Sequence, residues 1–325
     1  MAAVRAVYCL CSALLVAAVA ASLAQGADPP VPPARSAVLQ VLAQARGVQP
    51  TDRPLRPLTI VLLADKKDHG PGEHDYPRWQ SRWALLLGGA AASTEQAANL
   101  TGADLPDPSL ADGAPQVRVV TVQSWPSSEQ WASADLVVAF CYLAWNEQRI
   151  AEARQFLKRG GGLVLIHSAT WTMPEPSLDI AGLVGVGGFV KYRHGPIDLT
   201  IRQPDHPICA GLPPTIALVD ESYFPPTPAL DTQRVQVLAT CQEEPNEGEA
   251  GPSSQPMYWT YEPDNEPGNE PKKGRVFGCV LGHNNFTFDH PYFRLLLLRG
   301  MAWAAHEEPS RFDALTLRSA SVTDD

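Results

Sequence analysis

Titratable side chains crowd the residues that follow an apolar run near position 60. The run TIVLLA, residues 59–64, predicts a buried strand, and Asp65, Asp68, His69, His74 and Asp75 come directly after it. Histidine and carboxylate side chains act as general acids and bases, and they also bind divalent metals. Their density at the end of a core strand indicates a binding or catalytic site.

Three other apolar runs end in the same kinds of residue. His167 follows GGLVLI, Asp220 and Glu221 follow IALV, and His283 with Asn284 follows GRVFGCVLG. In open parallel sheets, ligands bind beyond the carboxyl ends of the strands. We therefore expect these side chains to meet the first group at one edge of a sheet.

Each candidate also has a plain structural interpretation. A Gly-Pro-Gly sequence separates His69 from His74, so the two are not the helical histidine pair of a zinc site, and a solvated turn would explain them. His167 is equally consistent with a hydrogen-bonded core histidine. Glu221 is equally consistent with an ion pair to Arg193.

The elements that must position these residues alternate in type. Strands are predicted at residues 59–64, 117–122, 136–142 and 162–167. Helices are predicted at YPRWQSRWALLLGG and WNEQRIAEARQFLKRGGG, each of which ends in glycines. Strands that alternate with helices predict an α/β fold, with a mostly parallel central sheet and helices on both faces.

The pattern loosens after residue 170. Further strands are predicted at IDLTI, IALV, VQVLATC and GRVFGCVLG, and a closing helix at HPYFRLLLLRGMAWAAHEE. Residues 243–273 are dense in Pro, Gly and acidic residues, which predicts a long loop with a short strand at residues 257–261; whether this loop is a lid stays open. The C-terminal tail, residues 307–325, is predicted to fray after Pro309.

The first 24 residues have the composition of a secretory signal peptide. A single charge, Arg5, precedes an Ala-, Leu- and Val-rich stretch, and Ser22 and Ala24 are small residues suited to cleavage after Ala24. An uncleaved membrane anchor is the alternative. We expect a secreted or periplasmic protein with a Pro- and Ala-rich leader at residues 25–57 and one α/β domain at residues 58–306.

The net charge of the chain argues against some kinds of binding partner, and its cysteines indicate free thiols. Lys and Arg number 25 against 35 acidic residues, a formal charge of −10, and such a chain is poorly suited to nucleic acid or anionic membranes. The cysteines beyond the signal peptide are Cys141, Cys209, Cys241 and Cys279. They form no CxxC pair, so we expect free buried thiols, with a disulfide as the alternative in an exported protein.

Five blocks of sequence, in order, resemble the trehalose-utilisation (ThuA-like) family. They are HGPGEHDYP, GGGLVLIHSA, DHPICAGLP, VDESYF and GRVFGCVLGHNNFTFDHPYFRLLLLRGMAWAA. The resemblance extends from about residue 59 to residue 305. It implies a flavodoxin-like sheet of the class I glutamine-amidotransferase type, and a link to the use of trehalose-type disaccharides and their keto forms.

Cysteine chemistry is not part of this expectation. In amidotransferases of that fold a nucleophilic cysteine lies at the turn after a central strand, and here the comparable turn carries His167. Cys141 ends an earlier strand and has no base beside it in the sequence. We therefore expect neither a Cys-dependent glutamine amidotransferase nor a nucleotide cofactor.

The first hypothesis is an exported enzyme that converts a small-molecule carbohydrate by acid/base or metal-assisted chemistry. His167 and Glu221 are its predicted catalytic acid/base pair. The predicted substrate-binding residues are His69, His74, Asp75, Tyr76, Arg193, Tyr223, His283 and Asn284. As an alternative role, His69, His74 and His283 are the predicted ligands of a divalent metal.

The second hypothesis is a non-catalytic module of the cell envelope that binds a sugar or a protein. A fold does not by itself assign a reaction, and such a module would not need Glu221 as an acid. A hydrolase that uses Ser168 ranks lower, because IHSA lacks the G-x-S-x-G sequence. A homo-oligomer is compatible with all of these hypotheses.

Overall fold

The computed structural model describes residues 28–46, 54–89, 97–102, 107–172, 176–245, 248, 250–263 and 273–324. The predicted signal peptide lies outside these residues. The helices are α1 (Arg35–Arg46), α2 (Tyr76–Gly88), α3 (Ser128–Ser133), α4 (Glu147–Lys158), α5 (Leu178–Val184) and α6 (Pro291–Ala304). The strands are β1 (Leu58–Ala64), β2 (Val117–Gln123), β3 (Leu136–Ala139), β4 (Gly162–Ile166), β5 (Phe189–Ile201), β6 (Thr215–Pro226), β7 (Val235–Glu243), β8 (Ser253–Tyr261) and β9 (Arg275–Cys279).

The strands form one mixed sheet in the order β2-β1-β3-β4-β9-β8-β7-β5-β6. The first five strands in this order pair in parallel, as the sequence predicted. The other pairings are antiparallel, so the expectation of a mostly parallel sheet describes only half of it. The reason is that β5 to β8 follow one another without crossover helices, and strands joined by such loops pair antiparallel. The fold class is therefore mixed α/β.

The core lies along the parallel strands and the last helix. β3 and β4 are buried at every position, as expected for strands covered on both faces. In α6 the residues 295–298 are four consecutive buried leucines, and a helix that is apolar all round belongs in the interior. Short 3-10 helices follow β4 and β9, at His167–Ala169 and Asn285–Asp289.

Both flanking segments pack against the domain. Val38 on α1 is fully buried, and Arg35 donates its backbone N–H to the Thr323 carbonyl at 3.0 Å, so the leader is not a free tether. The prediction of a frayed tail is wrong. Residues Pro309–Leu315 form a 3-10 helix against α6, where the Asp313 carboxylate accepts from buried Arg299 at 3.0 and 3.1 Å.

The acidic segment 243–273 contains a strand that is longer than predicted. β8 extends over Ser253–Tyr261, pairs with β7 and β9, and buries Met257 and Trp259 completely. Apolar residues at 257–261 predicted its second half; the polar residues before them gave no signal. Residues 246–247, 249 and 264–272 lie outside the described part of the chain.

The β5–β6 hairpin is an arm that extends past the sheet. Only Thr200 and Ile201 of β5 pair with β7, whereas β5 and β6 pair along almost their whole length. Asp220 on β6 accepts the backbone N–H of His283 at 2.8 Å. This contact fixes the arm at the end of β9, near the carboxyl edge of the parallel strands.

The four predicted cysteine thiols, Cys141, Cys209, Cys241 and Cys279, are buried and free, as the sequence suggested. Within the described residues, each helix is too short or too polar to cross a membrane.

Candidate metal centre

Four donor atoms from distant parts of the chain converge in the interior. Nε2 of His74 lies 2.8 Å from Nε2 of His167 and 3.0 Å from Nδ1 of His283. Oε2 of Glu221 lies 3.1 Å from His167 Nε2 and 3.0 Å from His283 Nδ1. All four residues are buried, with at most 5% of their surface exposed. We call these residues the donor cluster.

The ends of β4 and β9 position two members of the donor cluster. His167 follows β4 directly and has φ of 48°, a left-handed conformation that non-glycine residues seldom adopt. His283 follows β9, after Gly282. A Cβ on Gly282 would lie 3.2 Å from Ile166 and 3.4 Å from the Cβ of His167, so the glycine permits the close approach of the two strand ends.

A loop and the arm supply the other two members. His74 precedes α2, has φ of 39°, and is held by its backbone N–H, which donates to the His283 carbonyl at 3.0 Å. Glu221 lies on β6, in the part of the arm that Asp220 fixes to β9. Backbone strain at His74 and His167 persists only because the surrounding contacts determine both positions, a situation common at functional sites.

Hydrogen-bond partners assign the tautomers of two histidines. Nδ1 of His167 lies 2.7 Å from the Val280 carbonyl, which only accepts, so Nδ1 carries the proton. Nδ1 of His74 lies 3.0 Å from the Asp68 carboxylate and 2.9 Å from the Tyr76 hydroxyl, and we assign its proton to the bond with the carboxylate, which only accepts. In the neutral rings both Nε2 atoms then carry electron pairs, and these face one another at 2.8 Å. Two acceptors at this distance repel unless a positive charge lies between them, either a proton carried by one of the rings or a metal ion.

The separations fit a divalent metal ion. Ligand atoms about 2.1 Å from an ion and at right angles around it are about 3.0 Å apart. The four measured edges of the donor cluster span 2.8–3.1 Å. Outer hydrogen bonds such as those from His167 to Val280 and from His74 to Asp68 are typical of metal-binding histidines.

The electrostatics of the donor cluster also favour a cation. Burial raises the pKa of Glu221, but the hydrogen bonds and positive charge that His167 and His283 supply when they are protonated outweigh burial, so the net shift is downward and the carboxylate stays ionised. Burial, with the neighbouring His167 and His283, lowers the pKa of His74, which keeps this ring neutral. Burial alone would lower the pKa of His283. The hydrogen bond to Glu221 and the charge of its carboxylate outweigh burial, so the net shift of the His283 pKa is upward.

The structure brings together most of the sequence-predicted set. The donor cluster differs from the predicted metal ligands in that it lacks His69 and includes His167 and Glu221. His74 and His283 are in the donor cluster, together with the predicted catalytic pair His167 and Glu221. His69 is not among these buried donors. It is exposed and lies beside exposed Asp68 and buried His74, with its Nδ1 2.8 Å from the Asp68 carboxylate.

Two predicted tyrosines lie next to the donor cluster. The Tyr223 ring stacks on His167 at 4.6 Å between centroids, and its hydroxyl lies 2.8 Å from His167 Nε2. The hydroxyl of Tyr76 is bonded to Ser168 at 2.8 Å and to Asp68 at 3.1 Å. Tyr76 is buried, so it supports the ring of His74 from behind rather than facing the exterior.

The remaining predicted residues have structural partners. Asp75 caps α2 by accepting the backbone N–H of Arg78 at 3.3 Å. Asn284 donates its side-chain amide to the Val219 carbonyl at 3.4 Å and so helps hold the arm.

Arg193 lies on the face of the arm opposite to His194, its neighbour in sequence. Its Nε and Nη2 donate to the two carboxylate oxygens of buried Glu243 at 2.6 and 2.8 Å. Arg193 therefore does not join the donor cluster, and the interpretation of Glu221 as its ion-pair partner is wrong. The period of two along a strand, applied to YRHG, would have separated Arg193 from His194.

Three residues outside the predicted set of site residues lie close to the donor cluster. Nε2 of His194 is 3.3 Å from Oε1 of Glu221, the carboxylate oxygen that faces away from the other ligands. Trp171 contacts Tyr223, and Tyr192 contacts His194. The pairing of β5 with β6 places Tyr192 and His194 here, and the sequence of a single strand does not show how that strand pairs.

Cys141 is not suited to act as a nucleophile. It is buried at the end of β3, and burial raises the pKa of its thiol to about 12. The thiol therefore stays protonated at neutral pH, and the residue lacks the thiolate that a cysteine nucleophile requires.

Comparison with known proteins identifies the family. A family model described as trehalose utilisation (ThuA) matches residues 93–304, which include His167, Glu221 and His283 but not His74. No curated protein matches the chain in sequence. A ThuA-like protein from Bacteroides uniformis has a similar structure, with TM-score 0.53 and 15% identity over 81% of this chain and 99% of that chain.

A ThuA-like protein from Parabacteroides merdae is similar to a comparable degree. Its TM-score is 0.50 at 18% identity, over 77% of this chain and 90% of that chain. At these identities the two structures support the fold, and the family match, which spans more than half of the chain, supports the assignment. The chain belongs to the trehalose utilisation (ThuA) family.

Proposed function

We propose that the protein is a metal-dependent enzyme that converts a carbohydrate, with a divalent ion bound by the donor cluster. The observation that carries the proposal is the 2.8 Å approach of Nε2 of His74 to Nε2 of His167, within a buried cluster of four donor atoms. Membership of the trehalose utilisation family supports a sugar as the substrate. A keto form of a trehalose-type disaccharide suits the site, because its carbonyl and hydroxyl oxygens are ligands that a divalent ion accepts.

A divalent ion in the donor cluster would supply a Lewis acid for a substrate oxygen. In this proposal His167 and Glu221 are metal ligands rather than an acid/base pair. Proton transfer falls to His194, which is half exposed at the surface and contacts Oε1 of Glu221 at 3.3 Å. Burial lowers the pKa of His194 more than the charge of Glu221 raises it, so the ring is neutral near pH 7 and suited to accept a proton.

We also propose the finer fold assignment and export. The parallel strands have the order β2-β1-β3-β4-β9, which matches the 2-1-3-4-5 order of flavodoxin-like sheets and supports that arrangement, of the amidotransferase type, for this half. The composition of residues 1–24 supports a signal peptide and a secreted or periplasmic protein. The mass of the protein purified from its native host tests cleavage after Ala24.

The first experiment is elemental analysis of the purified mature protein and of three variants, His74→Ala, His167→Ala and His283→Ala. We expect about one divalent ion per chain in the wild type and its loss in each variant. His206→Ala is the matched control, since His206 lies away from the donor cluster, against Trp303. A wild type that binds no metal after incubation with zinc, manganese or nickel would contradict the proposal.

Turnover distinguishes the enzyme from the binding module. We expect the metal-loaded protein to convert a keto-disaccharide, and Glu221→Gln to abolish conversion. Metal binding with no conversion of trehalose, maltose or their keto forms would instead support a non-catalytic module.

A further inference from the structure

Two aromatic side chains beside the donor cluster form an open corner. The rings of Trp171 and Tyr192 have centroids 6.3 Å apart and planes inclined by 73°. Tyr192 is 59% exposed, although large aromatic side chains are normally well buried. We call these two residues the aromatic corner. Neither is among the proposed metal ligands.

Strand register places the aromatic corner on the same side of the arm as the donor cluster. Tyr192 on β5 lies opposite Tyr223 on β6, and His194 lies opposite Glu221. Residues directly opposite on neighbouring strands share one face of the sheet. Tyr192 therefore projects from the face that carries the metal ligand Glu221, next to the proton carrier His194.

Ring contacts give the span from the aromatic corner to the donor cluster. The Tyr192 centroid lies 5.6 Å from that of His194, which lies 4.6 Å from that of His283. Tyr192 is thus no more than about 10 Å from a metal ligand. A sugar of two rings is long enough to span this interval.

Contacts within the protein hold the Trp171 side chain in place. Its ring packs edge-on against that of Tyr223, with the centroids 4.8 Å apart and the planes inclined by 63°. It also follows the 3-10 helix that begins at His167, so its position is tied to a ligand residue. A preorganised aromatic wall loses little side-chain entropy on binding.

The chemistry of the aromatic corner matches a pyranose ring. Such a ring has an apolar face of C–H groups, which packs on an aromatic ring, and an edge of hydroxyl groups, which needs polar partners. Two inclined rings offer a surface for the face and a wall for one side, while His194 and Glu221 supply polar partners on the inner side. Pockets for small ligands commonly combine these features.

We propose that the aromatic corner is a second sugar subsite, so that the substrate is a glycoside of two rings, one at the metal and one against Trp171 and Tyr192. This inference rests on the proposed function, because it takes the donor cluster as the point of reaction. It names the size of the substrate and a residue, Tyr192, that selects for it.

Calorimetric titration of the metal-loaded mature protein tests the inference. The probes are trehalose, maltose, cellobiose and glucose. We expect at least one disaccharide to bind more tightly than glucose, and Tyr192→Ala to weaken that binding about two- to tenfold, the usual size of an aromatic contact. Tyr192→Phe should retain it. Val190→Ala is the matched control, because Val190 is exposed on the same face of β5, two residues away.

Several outcomes would overturn the inference. They are a Tyr192→Ala variant that binds as the wild type does, the absence of disaccharide binding at millimolar concentration, and equal affinity for glucose. A change of oligomeric state in Tyr192→Ala, measured by light scattering, would show that the aromatic corner is a subunit interface instead. Metal content is measured in each sample: a wild type without metal contradicts the proposed function, whereas retained metal without disaccharide preference contradicts only the second subsite.

Discussion

Nε2 of His74 faces Nε2 of His167 at 2.8 Å, and a hydrogen bond on the far side of each ring leaves both nitrogens with an electron pair. Neutral imidazoles do not hold this arrangement by hydrogen bonding, because neither nitrogen has a proton to donate. A cation between them resolves the conflict. We therefore expect a positive charge between these two nitrogens.

Chelation should destabilise the wild type and leave a ligand variant unchanged. An ion that binds only the folded state, at a free concentration about 100 times its Kd, stabilises it by about 2.7 kcal/mol, which corresponds to about 5 °C in Tm for a domain of this size. We expect EDTA to lower the Tm of the wild type by this order and that of His167→Ala hardly at all. Scanning calorimetry measures both, and equal shifts would contradict the role of His167.

Acid should destabilise the metal-free protein through His74. Burial lowers the folded-state pKa of His74 below its unfolded value of 6.5, so its contribution is present above pH 6.5 and is lost as the pH falls below it. His283 has the opposite sign, because its raised pKa stabilises the fold below pH 6.5 and this contribution is lost as the pH rises.

The difference between the wild type and His74→Gln isolates the His74 contribution. We expect urea unfolding of the metal-free wild type to lose more free energy between pH 7 and pH 5 than that of His74→Gln. Parallel pH profiles would show that His74 does not titrate on unfolding as its burial requires.

The Arg193–Glu243 pair should matter for stability and not for the metal. Arg193→Met leaves the buried carboxylate of Glu243 without its cation but with the Ser222 hydroxyl as a donor, and because the Arg193 side chain is 31% exposed we expect a cost of about 1–3 kcal/mol. We expect this loss in urea unfolding, with metal content unchanged. An Arg193→Met variant of normal stability and weakened sugar binding would return Arg193 to the predicted substrate-binding role.

The C-terminal tail should be part of the cooperative fold. Asp313→Ala removes the carboxylate that pairs with Arg299, whose guanidinium is fully buried, and we expect a cost of about 3 kcal/mol. Ser310→Ala in the same 3-10 helix is the matched control. Unaltered stability of Asp313→Ala would mean that the neighbouring Ile208 and Ala210 carbonyls suffice to hold Arg299.

The sequence predicted the candidate site better than it predicted the sheet. His167 and His283 each follow a parallel strand, and the rule that strand ends share an edge was enough to expect their meeting. Glu221 was expected at the end of such a strand, but it lies inside antiparallel β6 and reaches the cluster because the arm contacts the end of β9. His69 and His74 were indistinguishable by the same rule. Only the loop contacts, such as that of His74 to the His283 carbonyl, decide which ring turns inward.

The antiparallel half was less predictable for a physical reason. Its strands carry polar residues on an exposed face, as in YRHG around Arg193 and His194, and β8 begins with SSQP, so neither has the continuous apolar signal of a buried parallel strand. Which strands pair there depends on long-range register, which a single sequence does not encode locally. Residues such as Tyr192 and Trp171 were therefore visible as aromatics but had no assigned place.

The arm has a consequence for how the fold would respond to the proposed ion. The two strand-end ligands, His167 and His283, belong to the parallel half, while Glu221 belongs to a hairpin that has few pairings to the rest of the sheet. His74 and His283 are 209 residues apart in the chain. An ion bound to all four would act as a cross-link that closes long stretches of chain and ties the hairpin down, so its removal should release amide protons of the hairpin to exchange before those of the core.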